Sequence, residues 1–320
     1  MLTEPAELPA PEEVTELTAE RVKALLPNRP QNSSKATFGN VLNISGSVSY
    51  RGAAYLSSVS ALRVGAGYVT LACIEPVASS IAALVPDIVI FPLRSRYGAI
   101  AGGEYRAIAK ILHKYRVLLV GCGLSGPMGI DRNLKVFFRG LLGTVPVRED
   151  SVRATIIDAD GLNVLSEFTK IKLPPHTVLT PHPKELSRLL KITTEEIQAN
   201  RVPSAEFAAR KFGATVVLKG HRTVVTDGKN TFINVTGNSG LAKAGTGDVL
   251  AGMIAGLCAQ GLSTLNASCL AAYLHGKAGE FASADKTEYG VLASDLQSYI
   301  PLALKLCYGS CTGSPSFKNS

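Results

Sequence analysis

Asp248 sits in a run of small residues, Ala244-Gly245-Thr246-Gly247-Asp248, and a long uncharged segment begins directly after it. A Gly-Thr-Gly turn that opens a helix leaves backbone N–H groups unpaired and pointing outward. With the positive end of the helix dipole, Gly245, Thr246 and Gly247 make a ready anion site. A carboxylate at the same mouth suits a general base. It removes the proton of a hydroxyl while the anion site holds the phosphate that the hydroxyl attacks. The plainer alternative is that Asp248 caps the helix.

Four other stretches carry candidate chemistry. Lys219-Gly220-His221-Arg222-Thr223 is a basic corner between two strands, and it either grips a nucleotide or is a solvated turn. Pro181 and Pro183 pin His182 on both sides, for ligand contact or simply as a rigid strand-to-helix corner. Pro183 suits a first helical turn, and Glu185 is favourable near that positive end. Asp158 and Asp160 follow a strand, either orienting substrate or Mg²⁺ through water, or forming a turn in which Asp160 caps a helix. Gly121-Cys122-Gly123-Leu124-Ser125-Gly126 fits a dinucleotide fingerprint only weakly. Pro127 and Gly129 interrupt the helix it requires, so a glycine turn admitting a ligand is the safer reading.

These residues need a scaffold, and the chain supplies one. Short apolar runs alternate with helical patterns, which indicates a parallel sheet with crossover helices. Strands are expected at 39–45, 68–73, 88–91, 116–120, 154–158, 177–179, 214–219, 223–226 and 231–235. Helices are expected at 53–64, 102–113, 134–142, 183–190 and 204–212. Most candidates then lie just after strands, where open α/β sheets bind ligands.

Composition bounds the rest. The chain has 320 residues, is 46% hydrophobic and carries a formal charge of +8. The basic residues are scattered without aromatic interleaving, so a small anionic ligand is expected rather than nucleic acid. The six cysteines form no C-x-x-C pair, which fits a reduced, cytoplasmic protein with buried thiols. Cys307 and Cys311 are near enough in sequence to pair or share a metal, but no histidine lies nearby. Residues 1–36 read as an acidic, polar extension with one helix over 15–26, residues 37–310 as one domain, and 311–320 as a flexible tail. No secretory or transit signal is recognised. The uncharged stretch 249–274 is long enough to span a bilayer, but its polar residues and Gly261 favour two buried helices.

In this order, the motifs resemble the NAD(P)H-hydrate dehydratases of the ribokinase-like superfamily. The resemblance rests on Gly46-Ser47 with Gly52-Ala53, the run 61–67, Asp158-Ala159-Asp160, Thr180-Pro181-His182-Pro183-Lys184-Glu185, Lys219-Gly220 and the run 236–252. It covers residues 39–304. It implies a ribokinase-like α/β fold, a central, mostly parallel sheet with helices on both faces. It implies a hydro-lyase that uses ADP or ATP as phosphate donor to return (S)-NADHX and (S)-NADPHX to NADH and NADPH. Asp248 is then the catalytic base. Ala53, Gly123, His182, Asn238 and Asp248 contact the hydrate. Lys219, Gly220, His221, Arg222, Thr223, Gly245, Thr246 and Gly247 contact the nucleotide, and Mg²⁺ bridges phosphate oxygens. The resemblance also implies a homotetramer and a separate epimerase chain; by composition, no membrane or nucleic-acid partner is expected. The chain departs from the family pattern at Cys122, Ser239 and Ala244, and at Ser34 before the first strand.

Two other readings use the same residues. A ribokinase-like kinase would phosphorylate an alcohol and release a stable ester; the Pro181-His182-Pro183 corner and the Gly46–Ala53 loop argue against it. A non-catalytic nucleotide sensor would not need an intact Asp248.

Overall fold

Each central strand alternates its side chains between two apolar layers, and this fixes the architecture. The computed structural model describes residues 14–145, 152–169 and 171–308. Its strands are β1 (Val14–Glu16), β2 (Asn40–Ile44), β3 (Tyr68–Ile74), β4 (Val89–Leu93), β5 (Ser95–Arg96), β6 (Ala99–Ile100), β7 (Val117–Val120), β8 (Ala154–Ile157), β9 (Thr177–Leu179), β10 (Thr215–Leu218), β11 (Val224–Thr226) and β12 (Thr231–Ile233). Its first helices are α1 (Ala19–Ala24), α2 (Arg51–Arg63), α3 (Glu75–Leu84), α4 (Tyr105–Ile111), α5 (Arg132–Thr144) and α6 (Asp160–Leu165). Then come α7 (Pro183–Leu190), α8 (Thr194–Ala199), α9 (Arg201–Phe212), α10 (Thr246–Ala259), α11 (Thr264–Gly290) and α12 (Ala293–Tyr308).

Ten strands form one sheet in the order β1-β12-β11-β10-β9-β8-β7-β2-β3-β4. β11 runs antiparallel to both neighbours, and every other pairing is parallel. The chain leaves β2 towards β4, then returns to β7 and continues the other way. The crevice between β2 and β7 is therefore the topological switch point, where such sheets bind ligands. On one face Leu118 and Ile157 pack with Phe137 and Phe138 of α5. On the other, Leu119 and Ile156 pack with Met253 and Ile254 of α10.

Small residues bring α10 against α2. A Cβ on Gly252 would stand 2.1 Å from the Ser57 carbonyl oxygen, and one on Gly256 would stand 2.4 Å from that of Ala61. This close approach sets where the first turn of α10 meets the sheet. The uncharged stretch forms two buried helices, α10 and α11, joined through Gly261 at φ 101°. Among the described residues no helix is long and apolar enough to cross a membrane.

The N-terminal extension differs from expectation. Its helix is only α1, and a strand precedes it. β1 pairs in parallel with β12, and Leu17 and Val22 are buried in the α10 layer. Three residues are too few for a period to show, and β12 offers the free edge they add to. Residues 1–13, the tail 311–320 and Cys311 lie outside the described residues. The described cysteines, Cys307 included, are free and buried.

Candidate active site

The loops after β7, β8, β9 and β10 converge opposite the first turn of α10 and open into two cavities. The larger, about 550 Å³, is lined by Lys219 to Thr223, Asn238, Thr246, Gly247 and His275. The smaller, about 450 Å³, is lined by Asp158, His182, Lys243, Gly245 and Asp248. Lys219, Thr246 and Gly247 border both.

The mouth of α10 is left without a side-chain cap. Gly245 is the N-cap at φ 92°, and no side chain caps the helix. A side chain at Gly245 would also meet Leu56 at 2.6 Å. Thr246 Oγ1 donates backwards to the carbonyls of Leu241 and Lys243, both at 2.9 Å, which ties the turn down. Buried His275 on α11 sits 2.9 Å from the Thr246 carbonyl. Burial holds its pKa down at about 4, so the ring is neutral and Nε2–H is the donor. Nothing in the sequence singled out His275, one polar residue in an apolar helix. Asp248, third in the helix, is thus left to point at the cavity rather than to cap.

Behind Asp248 lies a buried charge cluster. Asp158 Oδ1 accepts from Lys219 Nζ at 2.8 Å and from Thr180 Oγ1 at 2.7 Å. Lys219 Nζ lies 3.9 Å from Glu185 Oε2 as well. Burial alone would lower the Lys219 pKa, but Asp158 and Glu185 outweigh it and raise it, so the ammonium persists. Burial, then the Asp158 charge, push the Asp248 carboxyl up to about 7. A carboxylate with that affinity for protons is a far better base at neutral pH than an ordinary aspartate. Burial likewise pushes Glu185 up to about 7, against the pull of Lys219. Sequence reasoning gave Glu185 only a helix-terminus role, because its distance to Lys219 is set by β9 and β10 lying side by side.

Asp158 and Asp160 part company at Ala159, whose φ of 46° is unusual for a residue with a side chain. Asp158 turns into the site. Asp160 Oδ2 accepts from the Ser125 N–H at 2.8 Å and holds the loop after β7, so it does not cap α6. Gly121 lets that loop pass: a Cβ there would stand 1.9 Å from the Asp158 carbonyl oxygen. Cys122, expected as a plain apolar filler, is fully buried but has its Sγ 3.8 Å from Asp158 Oδ2.

His182 caps α7. Its Nδ1 accepts from the N–H groups of Lys184 at 3.1 Å and Glu185 at 3.3 Å, while Glu185 Oε2 accepts from the His182 N–H at 2.8 Å. Burial, helped by Lys219, brings its pKa down to about 4. The neutral ring with Nδ1 accepting must carry its proton on Nε2, which lies 3.4 Å from Glu185 Oε1, and the residue lines the smaller cavity. The rigid-corner and ligand-contact readings are therefore compatible.

The remaining candidates fall into place around these. Ala53 and Gly123 meet at the switch point, where a Cβ on Gly123 would stand 2.8 Å from that of Ala53. Gly46 N–H donates to the Cys122 carbonyl at 2.9 Å and Ser47 Oγ to the Ser125 carbonyl at 2.7 Å, so the loops after β2 and β7 are tied together. Asn238, expected beside the hydrate, lines the larger cavity with Lys219 to Thr223. Its Oδ1 accepts from Gly240 N–H and Ser283 Oγ, which orders the loop before α10. Arg222 pairs with Glu16 of β1 at 2.6 Å. Arg201 of α9, which the sequence did not mark, donates to the carbonyls of Leu218 and Lys219 and braces the basic corner.

Residues 41–302 match the family model described as NAD(P)H-hydrate dehydratase. The chain belongs to the NAD(P)H-hydrate dehydratase family. It is 38% identical over 295 residues to the bifunctional NAD(P)H-hydrate repair enzyme Nnr of Moorella thermoacetica, covering 90% of this chain and 53% of that protein. It is 34% identical to the ADP-dependent (S)-NAD(P)H-hydrate dehydratase of Neisseria meningitidis serogroup B, covering 82% of this chain and 83% of that one. The chain thus spans about half the length of its bifunctional relatives. Among solved structures, the ADP/ATP-dependent NAD(P)H-hydrate dehydratase of Bacillus subtilis, co-crystallised with ATP and Mg²⁺, superposes with a TM-score of 0.77 at 30% identity. It covers 92% of this chain and 99% of that one. The fold is ribokinase-like, as the sequence led one to expect.

Cys122, Asp158 and Asp248 place ligand-type atoms within 4.8 Å of one another. They do not suit a resident Mg²⁺. That ion wants near-octahedral oxygens and keeps several waters. Here one donor is a thiol, and Asp158 Oδ1 is already held by Lys219 and Thr180.

Proposed function

We propose that this member of the family dehydrates (S)-NADHX and (S)-NADPHX to NADH and NADPH, with ADP as the phosphate donor. The observation that carries the reading is Asp248, raised to about 7, at an uncapped helix mouth between two cavities. The nucleotide lies in the larger cavity, against Lys219 to Thr223 and Gly247. The hydrate lies between Asp248, His182 and the Ala53–Gly123 contact at the switch point.

Asp248 takes the proton of the 6-hydroxyl as its oxygen attacks the terminal phosphoryl group. The phosphorus–oxygen bond to the nucleotide breaks, and AMP leaves when ADP is the donor. The N–H groups of the Gly245-Thr246-Gly247 turn face the charge that builds on the phosphoryl oxygens. The ring nitrogen's lone pair then expels phosphate from C6, and loss of a C5 proton restores the ring double bond. That second step draws its driving force from the substrate, so the protein's work is positioning and the first proton transfer. Mg²⁺ enters with the nucleotide phosphates, as part of the substrate.

Support for ADP is that the Neisseria relative is named ADP-dependent. The test is purified protein with Mg²⁺ and (S)-NADHX, given ADP or ATP, with the absorbance band of the reduced nicotinamide followed over time. The band should appear with ADP, with one phosphate released per ring restored. A rise with ATP alone would change the donor. No rise with either, but phosphorylation of another alcohol, would make the chain a kinase. Light scattering on the same sample tests the homotetramer implied by the resemblance.

A further inference from the structure

Cys122 is a buried nucleophilic group that the reaction above does not use, yet it lies within 4.8 Å of the carboxylate that the reaction most depends on. It lies directly after β7, with no measurable exposure. Its Sγ is 3.8 Å from Asp158 Oδ2, a hydrogen-bond distance for sulfur. Its Sγ and one carboxylate oxygen from each of Asp158 and Asp248 lie within 4.8 Å of one another. The thiol is therefore hydrogen-bonded to Asp158, which is also paired with Lys219, and close to Asp248.

We propose that Cys122 is a positioning residue for Asp248. Its S–H is the neutral donor lodged between the two carboxylates, and it keeps the Asp248 carboxylate ionised and turned towards the smaller cavity. The thiol donates to Asp158 Oδ2 and has the Asp248 carboxylate as its other near acceptor. It is closed to solvent and to reagents, and Asp158 and Asp248 are the acceptors beside it. Burial, then Asp248 and Asp158, push its own pKa well above the ordinary thiol range, so it stays protonated and remains a donor wherever Asp248 is ionised. Asp248 is also faced by Asp158 from the end of β8, Lys219 from the end of β10 and Asp160 from α6, and His182 and Lys243 line the same cavity. Lys219 and the thiol favour its charged form; Asp158 and Asp160 oppose it. Removing the thiol removes one of the two favourable neighbours.

The inference rests on the reading of Asp248 as base, so one readout needs no turnover. In the apo protein, the S–H Raman band isolated as wild type minus Cys122→Ser should shift when Asp248 becomes Asn. An unshifted band would overturn the contact, whatever the reaction proves to be. In the turnover assay, Cys122→Ala should move the acid limb of kcat/KM to higher pH by about half a unit, the scale of one weak hydrogen bond to a charge. Cys122→Ser, which keeps a donor, should return the limb towards wild type, and the nucleotide KM should stay unchanged in both. A Cys122→Ala profile that superimposes on wild type would overturn the positioning role. Wild-type protein inactive on the hydrate would defeat the functional reading instead, leaving the Raman result to decide the contact.

Discussion

Lys219 Nζ lies 2.8 Å from Asp158 Oδ1, and a Cβ on Gly247 would come within 3.1 Å of the same nitrogen. Glycine at position 247 thus leaves the Lys219 ammonium room beside the first turn of α10. Lys219 borders both cavities, but its charge is already committed to Asp158, with Glu185 on its other side.

Lys219→Met should therefore destabilise the protein by about 3–5 kcal/mol, the cost of leaving a buried partner uncompensated. Adding Asp158→Asn should recover much of that loss, because the orphaned charge is gone. Denaturant unfolding of both singles and the double closes the cycle. A single-mutant loss below about 1 kcal/mol would mean that the pair is solvated in solution.

Asp248 gives a pH-dependent stability. Its folded pKa, about 7, is raised above the ordinary 3.8, so the folded state favours the protonated form. Its stabilising contribution is full below the unfolded value and is lost as pH rises through the folded one. Asp248→Asn should match wild type in stability near pH 4 and exceed it by an amount on the order of 4 kcal/mol above pH 7. Thermal melts across that range check it, and a constant difference between the two proteins would refute the raised pKa.

Much of this was legible beforehand. Every strand from β2 onwards that joins the large sheet was expected within a few residues, since buried parallel strands are short apolar runs bounded by turn residues. The α10 mouth was legible because Gly245 and Gly247 flank Thr246 and a carboxylate at once. Spacing along the chain carries no information about contacts across strands. That is why the Lys219–Glu185 approach, the His275 brace, the Arg201 brace and the Cys122 contact were missed. That Asn238 borders the larger cavity was not legible either, because the loop before α10 folds back through Gly240 and Ser283. β1 was missed because three residues show no period.

His182 should behave as a cap and as a neutral ring. His182→Ala should cost about 1 kcal/mol through the lost acceptor at the α7 terminus. His182→Asn, which restores an acceptor, should regain most of it while leaving the hydrate KM raised. Its folded pKa, about 4, is depressed below 6.5. Its contribution is therefore present above the ordinary value and lost as pH falls towards 4. Equal hydrate KM values in wild type and His182→Asn would remove His182 from the substrate site.

Gly252→Ala tests whether close packing places the α10 mouth. The added methyl would meet the Ser57 carbonyl oxygen at 2.1 Å, and backbone cannot swing away as a side chain can. The expected loss is about 1–3 kcal/mol, with turnover falling further than Tm alone explains. A variant with unchanged Tm and turnover would show that α2 and α10 have slack.

The base assignment is the centre of the account, and it is tested by initial rates of wild type and Asp248→Asn on (S)-NADHX with saturating nucleotide. The variant should lose at least about a hundredfold in kcat, the low end for removing a general base, while nucleotide affinity by calorimetry stays within a few fold. Wild-type-like turnover in Asp248→Asn would contradict the assignment, and the proton would have to leave by another group.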